Sequence, residues 1–446
     1  MNIAHSNFVF FAYYVVAVIV LNVPEALWAV AYEPKPTNSY FAKFNPRKAP
    51  ISGSLLLQLG DKMAIIGDSI TEQKMYSRII ETYLTACVPE LKITVRQFGW
   101  SGETAEGFRN RMTNDCLRFE PTVATLSYGM NDFHYRPFDV ENSFWYQSNY
   151  LAIVTSLQGA GARVVLGSPG CVGKVPDWVH VDTYTRDELN VSLCAYRDLD
   201  ISLAKGSKAA FADVYWTMFK AGYKGETLYG LTNNPYSISG KDGVHPGWAG
   251  HLVIAYAYLR AMGLDGDIGT LTVDLGTHTA TGSSGHMIES FKENTLTVVS
   301  TKYPFCAGGE NNSDNSIRSG TTLVPFFDEL SRFRLIVKNG SASKYQIIWG
   351  QSTNTYTSAQ LVNGVNLAAD FLDNPFCKTF KKVDEAVGVK QAYETKQIKE
   401  VFHSQEGRAD MVKTFEVTEA KRAVLVAAIA ATMLPVRHSI VIQAAP

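Results

Sequence analysis

The chain has 446 residues, 46% of them hydrophobic, with 41 Lys and Arg against 42 Asp and Glu and a formal net charge of −1. That length suffices for a large core and for two or three domains at ~100–200 residues each. The balanced charge, with no long Lys/Arg run, gives nucleic-acid binding no electrostatic support.

In chain order, Phe8 to Leu21 is an unbroken apolar stretch. It is shorter than the ~20 residues that a membrane span needs. Asn22, Pro24 and Glu25 interrupt it, and Ala29-Val30-Ala31 then offers an A-x-A cleavage pattern. Residues 1–31 read as a secretory signal cut before Tyr32, which implies a secreted or periplasmic protein with no stable membrane span after cleavage. An uncleaved anchor over residues 8–21 is the alternative, because the segment ahead of the apolar run holds His5 but no Lys or Arg. Export would permit disulfides among the six cysteines. Chain proximity suggests Cys171–Cys194 and Cys306–Cys377, and buried free thiols are the other reading. No C-x-x-C spacing occurs, so a zinc or thioredoxin-like site has no support.

Residues 32–60 carry Pro34, Pro36, Pro46 and Pro50 and read as an extended lead-in over the surface. From Met63, short apolar runs alternate with amphipathic helices. Strands are expected at Met63–Ile66, Ile93–Phe98, Val123–Tyr128, Arg163–Leu166 and Ala209–Val214. Helices are expected at Tyr76–Cys87, Tyr146–Gln158, Leu189–Ala204 and Gly247–Met262. Pro246 suits the mouth of the last of these, where a missing N–H costs little. This alternation implies βαβ units and an α/β fold, with a parallel sheet between two layers of helices. Sites in such sheets form at the carboxyl ends of the strands.

The rhythm stops around Gly263–Gly269. Thr, Ser, Gly and Asn then dominate residues 270–365, which read as a small β-domain. Phe333, Leu335 and Val337 alternate along one strand, Tyr345, Ile347 and Trp349 along another, with a turn signal at Asn339-Gly340 between them. Helical periodicity runs from Phe380 to Met433, broken near Ser404–Gly407, and Val436–Ile442 is a candidate final strand. The expected organisation is a signal at 1–31, an extension at 32–60, a catalytic domain at 61–268, a β-rich domain at 269–365 and a helical segment at 366–446.

Three short segments carry reactive groups. Gly67-Asp68-Ser69-Ile70 follows the first strand, Gly129-Met130-Asn131-Asp132 the third, and Asp242-Gly243-Val244-His245-Pro246 precedes a helix. A fourth, Ser101-Gly102-Glu103-Thr104, follows the second strand. A serine hydroxyl is a poor nucleophile until a base takes its proton. An Asp three residues before a His on a turn can hold Nδ1–H and leave Nε2 free. Read alone, Ser69 and Thr71 would be helix caps, Gly102 an ordinary turn and Asn131 part of an Asn-Asp turn. His134, His180 and His251 are weaker candidates, with structural or substrate-contact roles. The G-x-S-x-G elbow of α/β-hydrolases is absent at Ser69.

The order and spacing of the four blocks resembles the SGNH hydrolases, also called GDSL-type esterases, over about residues 60–262. The resemblance implies a three-layer α/β/α fold with a flavodoxin-like parallel sheet. It implies Ser69 as nucleophile, His245 as base and Asp242 as its orienting carboxylate. It also implies an oxyanion hole from the N–H groups of Ser69 and Gly102 and the side-chain amide of Asn131. Ile70 replaces the Leu of the GDSL name, and Phe98-Gly99-Trp100-Ser101-Gly102 lacks the Asn often found at the start of its block. No cofactor or metal is implied. The expected partner is a small-molecule or polysaccharide ester, with O-acetyl groups on carbohydrate as the leading substrate. Trp100, Trp145, Trp178, Trp216 and Trp248 are available for sugar stacking or for the core. The alternatives are a lipase, lysophospholipase or thioesterase of the same fold, or an inactive glycan-binding surface protein using loops such as Gly308–Ser319. The last 180 or so residues carry no part of the resemblance, and oligomeric state is not indicated.

Overall fold

The computed structural model describes residues 30–445 apart from 52, 182 and 234. The apolar run 8–21 lies outside the described residues, as does most of the signal-like segment.

Five strands form one parallel sheet: β1 (Lys62–Gly67), β2 (Thr94–Gln97), β3 (Val123–Ser127), β4 (Arg163–Gly167) and β5 (Ala210–Ala212), in the order β2-β1-β3-β4-β5. Met63–Ile66 and Val123–Leu126 are buried throughout, as continuous apolar strands covered on both faces must be. The covering helices are α1 (Ser69–Glu72), α2 (Tyr76–Ala86), α3 (Ala105–Asp115), α4 (Val140–Gly159), α5 (Arg186–Ser207), α6 (Val214–Tyr229) and α7 (Trp248–Ala261). This is the flavodoxin-like order, whose switch point lies between β1 and β3.

Three of these helices are not among the expected ones: the single turn α1, and the longer α3 and α6. In α3 only Ala105, Phe108 and Met112 supply apolar burial, and Arg111 and Asp115 share the buried stripe. In α6 the interior glycines Gly222 and Gly225 weaken the helical signal. The strand expected to reach Val214 ends at Ala212, because the Asp213 side chain accepts the Trp216 N–H and starts α6.

The lead-in is more than a surface strap. Tyr32 bridges Arg47, and Phe41 and Phe44 are buried, with the Phe41 ring against Trp216, Phe219 and Tyr223.

Beyond α7 come β6 (Asp267–Asp274), β7 (Thr279–Gly282), β8 (His286–Lys292) and β9 (Thr295–Ser300), then the short helices α8 (Ile317–Leu323) and α9 (Phe326–Leu330). There follow β10 (Arg332–Lys338), β11 (Lys344–Trp349), β12 (Ser352–Thr357), α10 (Ser358–Asn363), β13 (Val365–Asn366) and α11 (Leu367–Asp370). The chain closes with α12 (Cys377–Lys396), a π-helical turn (Gln397–Phe402), α13 (Gln405–Ala409), α14 (Met411–Thr432) and β14 (Val436–Ala444). These strands build a four-stranded sheet, β13-β10-β6-β7, and a five-stranded one, β12-β11-β14-β9-β8. Asn339 does turn the chain, at φ 56, but the strands on either side enter different sheets and do not pair. The final strand sits between β9 and β11, with Val436, His438, Ile440 and Ile442 inward, so residues 436–444 complete the sheet begun at 286.

The C-terminal helices are fastened to the parallel sheet by a buried charge cluster. Lys390 Nζ donates to Glu394 at 2.7 Å, to the Val95 carbonyl at 2.6 Å and pairs with Glu81 at 3.0 Å. Arg422 also donates to Glu394 and Val95.

All six cysteines are free thiols, so neither suggested disulfide is present. Burial pushes the Cys171 thiol up to about 11 and the Cys194 thiol up to about 12. No described helix is long and apolar enough to cross a membrane.

Candidate active site

The site is assembled at the carboxyl ends of β1, β2 and β3. Past β1 the chain turns sharply into α1. Asp68, not Ser69, caps that helix: its Oδ1 accepts the Ile70 N–H at 2.9 Å. Thr71 is occupied elsewhere, its hydroxyl 2.8 Å from the Tyr76 hydroxyl. Capping is therefore done without Ser69, whose Oγ is free to lie 2.8 Å from His245 Nε2.

His245 Nδ1 is 2.7 Å from Asp242 Oδ2. Asp242 Oδ1 accepts the backbone N–H groups of Val244 and His245, both at 2.9 Å. Burial acts to raise the Asp242 pKa, but these N–H donors and the imidazole outweigh it and hold the carboxyl below its ordinary value. An ionised carboxylate only accepts, so Nδ1 carries the proton and Nε2 is the acceptor facing the serine O–H. The turn depends on Gly240, at φ +79, where a Cβ would stand 1.8 Å from the His245 carbonyl oxygen. The histidine side chain is 30% exposed and Asp242 36%, so an ester can reach both from solvent.

Gly102 follows β2 at φ +73, a conformation that favours glycine. The backbone N–H groups of Ser69 and Gly102 have no protein acceptor among the described residues. Asn131 Nδ2 donates to the Glu103 carbonyl at 2.9 Å, which leaves its second N–H unspent, and Tyr135 donates to Asn131 Oδ1 at 3.3 Å. The structure thus brings Ser69, Asp242 and His245 into one hydrogen-bonded chain and sets Gly102 and Asn131 on the neighbouring loops.

A layer of buried charge beneath these loops was not anticipated from the sequence. Glu103 accepts Arg111 Nε at 2.6 Å and Nη2 at 2.7 Å, and the Tyr128 hydroxyl at 2.7 Å. Asp132 accepts Ala105 N–H at 2.8 Å and Gly129 N–H at 2.9 Å, tying the loop after β2 to the loop after β3. Burial outweighs those donors and pushes Asp132 up to about 6. Burial likewise pushes Asp68 up to about 7, helped by the nearby Asp132 and Glu103 carboxylates. The available signal was spacing: Arg111 lies three residues after Phe108, which places a charge on the buried stripe of α3.

The weaker histidines stand outside the Ser69–His245–Asp242 chain, although His134 and His180 line a groove next to it. His251 is buried, accepts the Tyr76 N–H on Nδ1 at 3.2 Å and faces Gln73 Oε1 with Nε2 at 2.9 Å. Burial, then the proximity of His245, pushes it down to about 3, so it is a neutral core residue. His134 stacks on Trp145. His180 joins Asn131, Tyr135 and Trp178 along a shallow groove of about 440 Å³. Trp178 stands beside His245, ring centres 6.2 Å apart, and is 44% exposed. Trp216 is core. A second cleft, of about 690 Å³, is lined by Tyr229, Lys241, Asp242, His245, Glu310 and Asp314 among others. No cluster of metal-ligating side chains occurs among the described residues.

Residues 65–253 match the GDSL-like Lipase/Acylhydrolase family. An acetylxylan esterase from Geobacillus stearothermophilus is 26% identical over 224 residues, covering 46% of this chain and 95% of that protein. A solved structure of an acetylxylan esterase from that organism covers 47% of this chain and 97% of its own, at 22% identity and a TM-score of 0.39. The structure of a gut microbial diltiazem-metabolizing enzyme aligns over 88% of this chain and 100% of its own, with a TM-score of 0.69 at 20% identity. That last alignment extends past the family segment, so much of the later β-sheet and helical architecture is shared in fold. Over residues 65–253 the protein resembles the SGNH hydrolases, the GDSL-like lipases and acylhydrolases, and it is a hydrolase acting on ester bonds.

Proposed function

We propose that the protein is an exported serine esterase that removes O-acetyl groups from carbohydrate. The observation that carries the chemistry is the chain from Ser69 Oγ through His245 to Asp242. As an ester binds, His245 Nε2 takes the hydroxyl proton while Oγ bonds to the carbonyl carbon. The resulting imidazolium is stabilised by Asp242. The oxyanion is met by the N–H groups of Ser69 and Gly102 and by Asn131 Nδ2, donors worth on the order of 100–1000-fold each. Collapse expels the alcohol, which leaves with the proton from His245. Water then attacks the acyl-enzyme, again giving its proton to Nε2, and the acid is released as Ser69 is restored.

The substrate class rests on the walls of the site. The cleft lined by Asp242 and His245 also presents Lys241, Glu310 and Asp314 with Tyr229, and the groove lined by Asn131 presents Trp178. Hydroxyl-rich substrates suit such a lining, since polar groups fix them and an exposed aromatic face can cover a sugar ring. The 26% identical relative is an acetylxylan esterase, which supports a substrate of this kind. Residues 61–268 would form the catalytic unit, with 269–365 and 366–446 as accessory segments and 1–31 as the export signal.

The test compares acetate release from an acetylated oligosaccharide with fatty-acid release from a long-chain ester. The acetylated sugar should be preferred, and Ser69→Ala should abolish turnover of both. A strong preference for the long chain would replace the substrate assignment with a lipase reading.

A further inference from the structure

The C-terminal helical segment reaches into the wall of the active site. Lys399, in the π-helical turn Gln397–Phe402, donates to both carboxylate oxygens of Glu72, at 2.7 Å and 2.9 Å. Such widened turns recur at functional sites. Glu72 is the last residue of α1, whose first residue is Ser69. The same carboxylate accepts the backbone N–H of Ser101, the residue before Gly102. One side chain therefore joins the serine-bearing helix to the loop that presents the Gly102 N–H.

Further contacts from the C-terminal segment converge on the same loop. Lys399 Nζ lies 5.0 Å from the centre of the Trp100 ring, and Arg111 covers that ring from 4.9 Å. His403 meets the Trp100 ring edge-on at 5.1 Å. Gln97 Nε2 reaches the Thr71 carbonyl at 3.1 Å and Thr395 Oγ1 at 3.4 Å, while Gln97 Oε1 accepts the Gly99 N–H at 2.8 Å. Glu72 keeps a pKa below its ordinary value although burial acts to raise it, because Lys399 and Ser101 donate to it.

We propose that Lys399 is a positioning residue: through Glu72 it fixes the Trp100–Ser101 peptide against α1, and with it the adjoining Gly102 N–H, so that the C-terminal segment completes the oxyanion site. This rests on the acyl-enzyme reading above. An oxyanion donor acts only when held where charge develops, and small displacements weaken the transition state more than the bound ester. An ion pair of merely structural value at a partly exposed site would add little to stability and would leave turnover intact.

The full chain and its Lys399→Met, Lys399→Arg and Glu72→Gln variants are compared on a small chromogenic acetate ester, alongside the thermal midpoint and inhibition by an alkyl boronic acid that forms a tetrahedral adduct. For Lys399→Met, kcat should fall roughly tenfold or more with KM within about threefold, and boronate affinity should weaken in parallel with kcat/KM. Lys399→Arg should restore most of the rate. Glu72→Gln, which preserves volume, should repeat the Met phenotype and serves alone if the Met variant is insoluble. The inference is overturned if folded Lys399→Met or Glu72→Gln keeps kcat within about twofold of wild type, or if the loss lies in KM with boronate affinity unchanged. A Ser69→Ala variant that still hydrolyses the acetate would instead remove the acyl-enzyme reading itself.

Discussion

Replacing Arg111 with Met strands a buried carboxylate. Glu103 and Arg111 are 6% and 9% exposed, and the guanidinium supplies two of the three hydrogen bonds on that carboxylate. It also donates to the Phe98 carbonyl at 2.9 Å. Methionine fills the stem but leaves Glu103 with Tyr128 alone. Breaking a buried pair from one side costs about 3–5 kcal/mol. If the catalytic unit of about 200 residues proposed above melts on its own, that corresponds to a fall in thermal midpoint of about 6–20 °C, followed by tryptophan fluorescence. Because the Glu103 carbonyl holds Asn131 Nδ2, kcat should fall as well. Adding Glu103→Gln to Arg111→Met removes the unpaired charge, and at least half of the lost stability should return. A midpoint shift below about 2 °C, or no recovery in the double variant, would refute the reasoning.

Gly102→Ala places a Cβ on a residue at φ +73 with nothing within 4 Å of it, so the penalty is conformational, about 1–2 kcal/mol; kcat should drop while KM holds, and an unaffected kcat would remove Gly102 from the oxyanion site. Asp242→Asn should lower kcat by roughly 10⁴-fold, since an amide can favour the wrong imidazole tautomer; stopped assays with high enzyme concentration measure the residue. His251 gives a pH test. Its folded pKa is pushed from 6.5 down to about 3, so below 6.5 the unfolded chain takes up a proton that the folded chain refuses. Stability then falls with pH through that window by about 1.4 kcal/mol per unit. The stability advantage of wild type over His251→Gln should therefore shrink between about pH 7 and pH 5, read by denaturant midpoints; parallel curves would contradict a buried neutral imidazole.

The parallel sheet was legible because its strands are short apolar runs buried on both faces, such as Met63–Ile66. The helix α3 was not, because its buried stripe includes Arg111 and Asp115, whose burial is tolerable only with partners that periodicity does not reveal. The sheet partners of β10 and β11 were equally hidden: an alternating strand reports which side faces inward, not which strand lies beside it. At the site, Ser69, Asp242 and His245 could be read as a group because their chemistry needs distinctive residue types. Glu72, Glu103 and Asp132 could not, since an ordinary carboxylate in a polar loop acquires a role only through what it meets. For Glu72 that partner, Lys399, is 327 residues away. The serine's alternative as a helix cap fell to a neighbour, Asp68, which takes that duty itself.

The most direct measurement is covalent labelling of the intact protein with a fluorophosphonate, followed by peptide mass mapping. A single adduct on the Ser69 peptide is expected, formed far more slowly when His245 is replaced by Ala. Labelling at another serine, or none with a wild-type protein that still hydrolyses acetate esters, would contradict a nucleophile at Ser69.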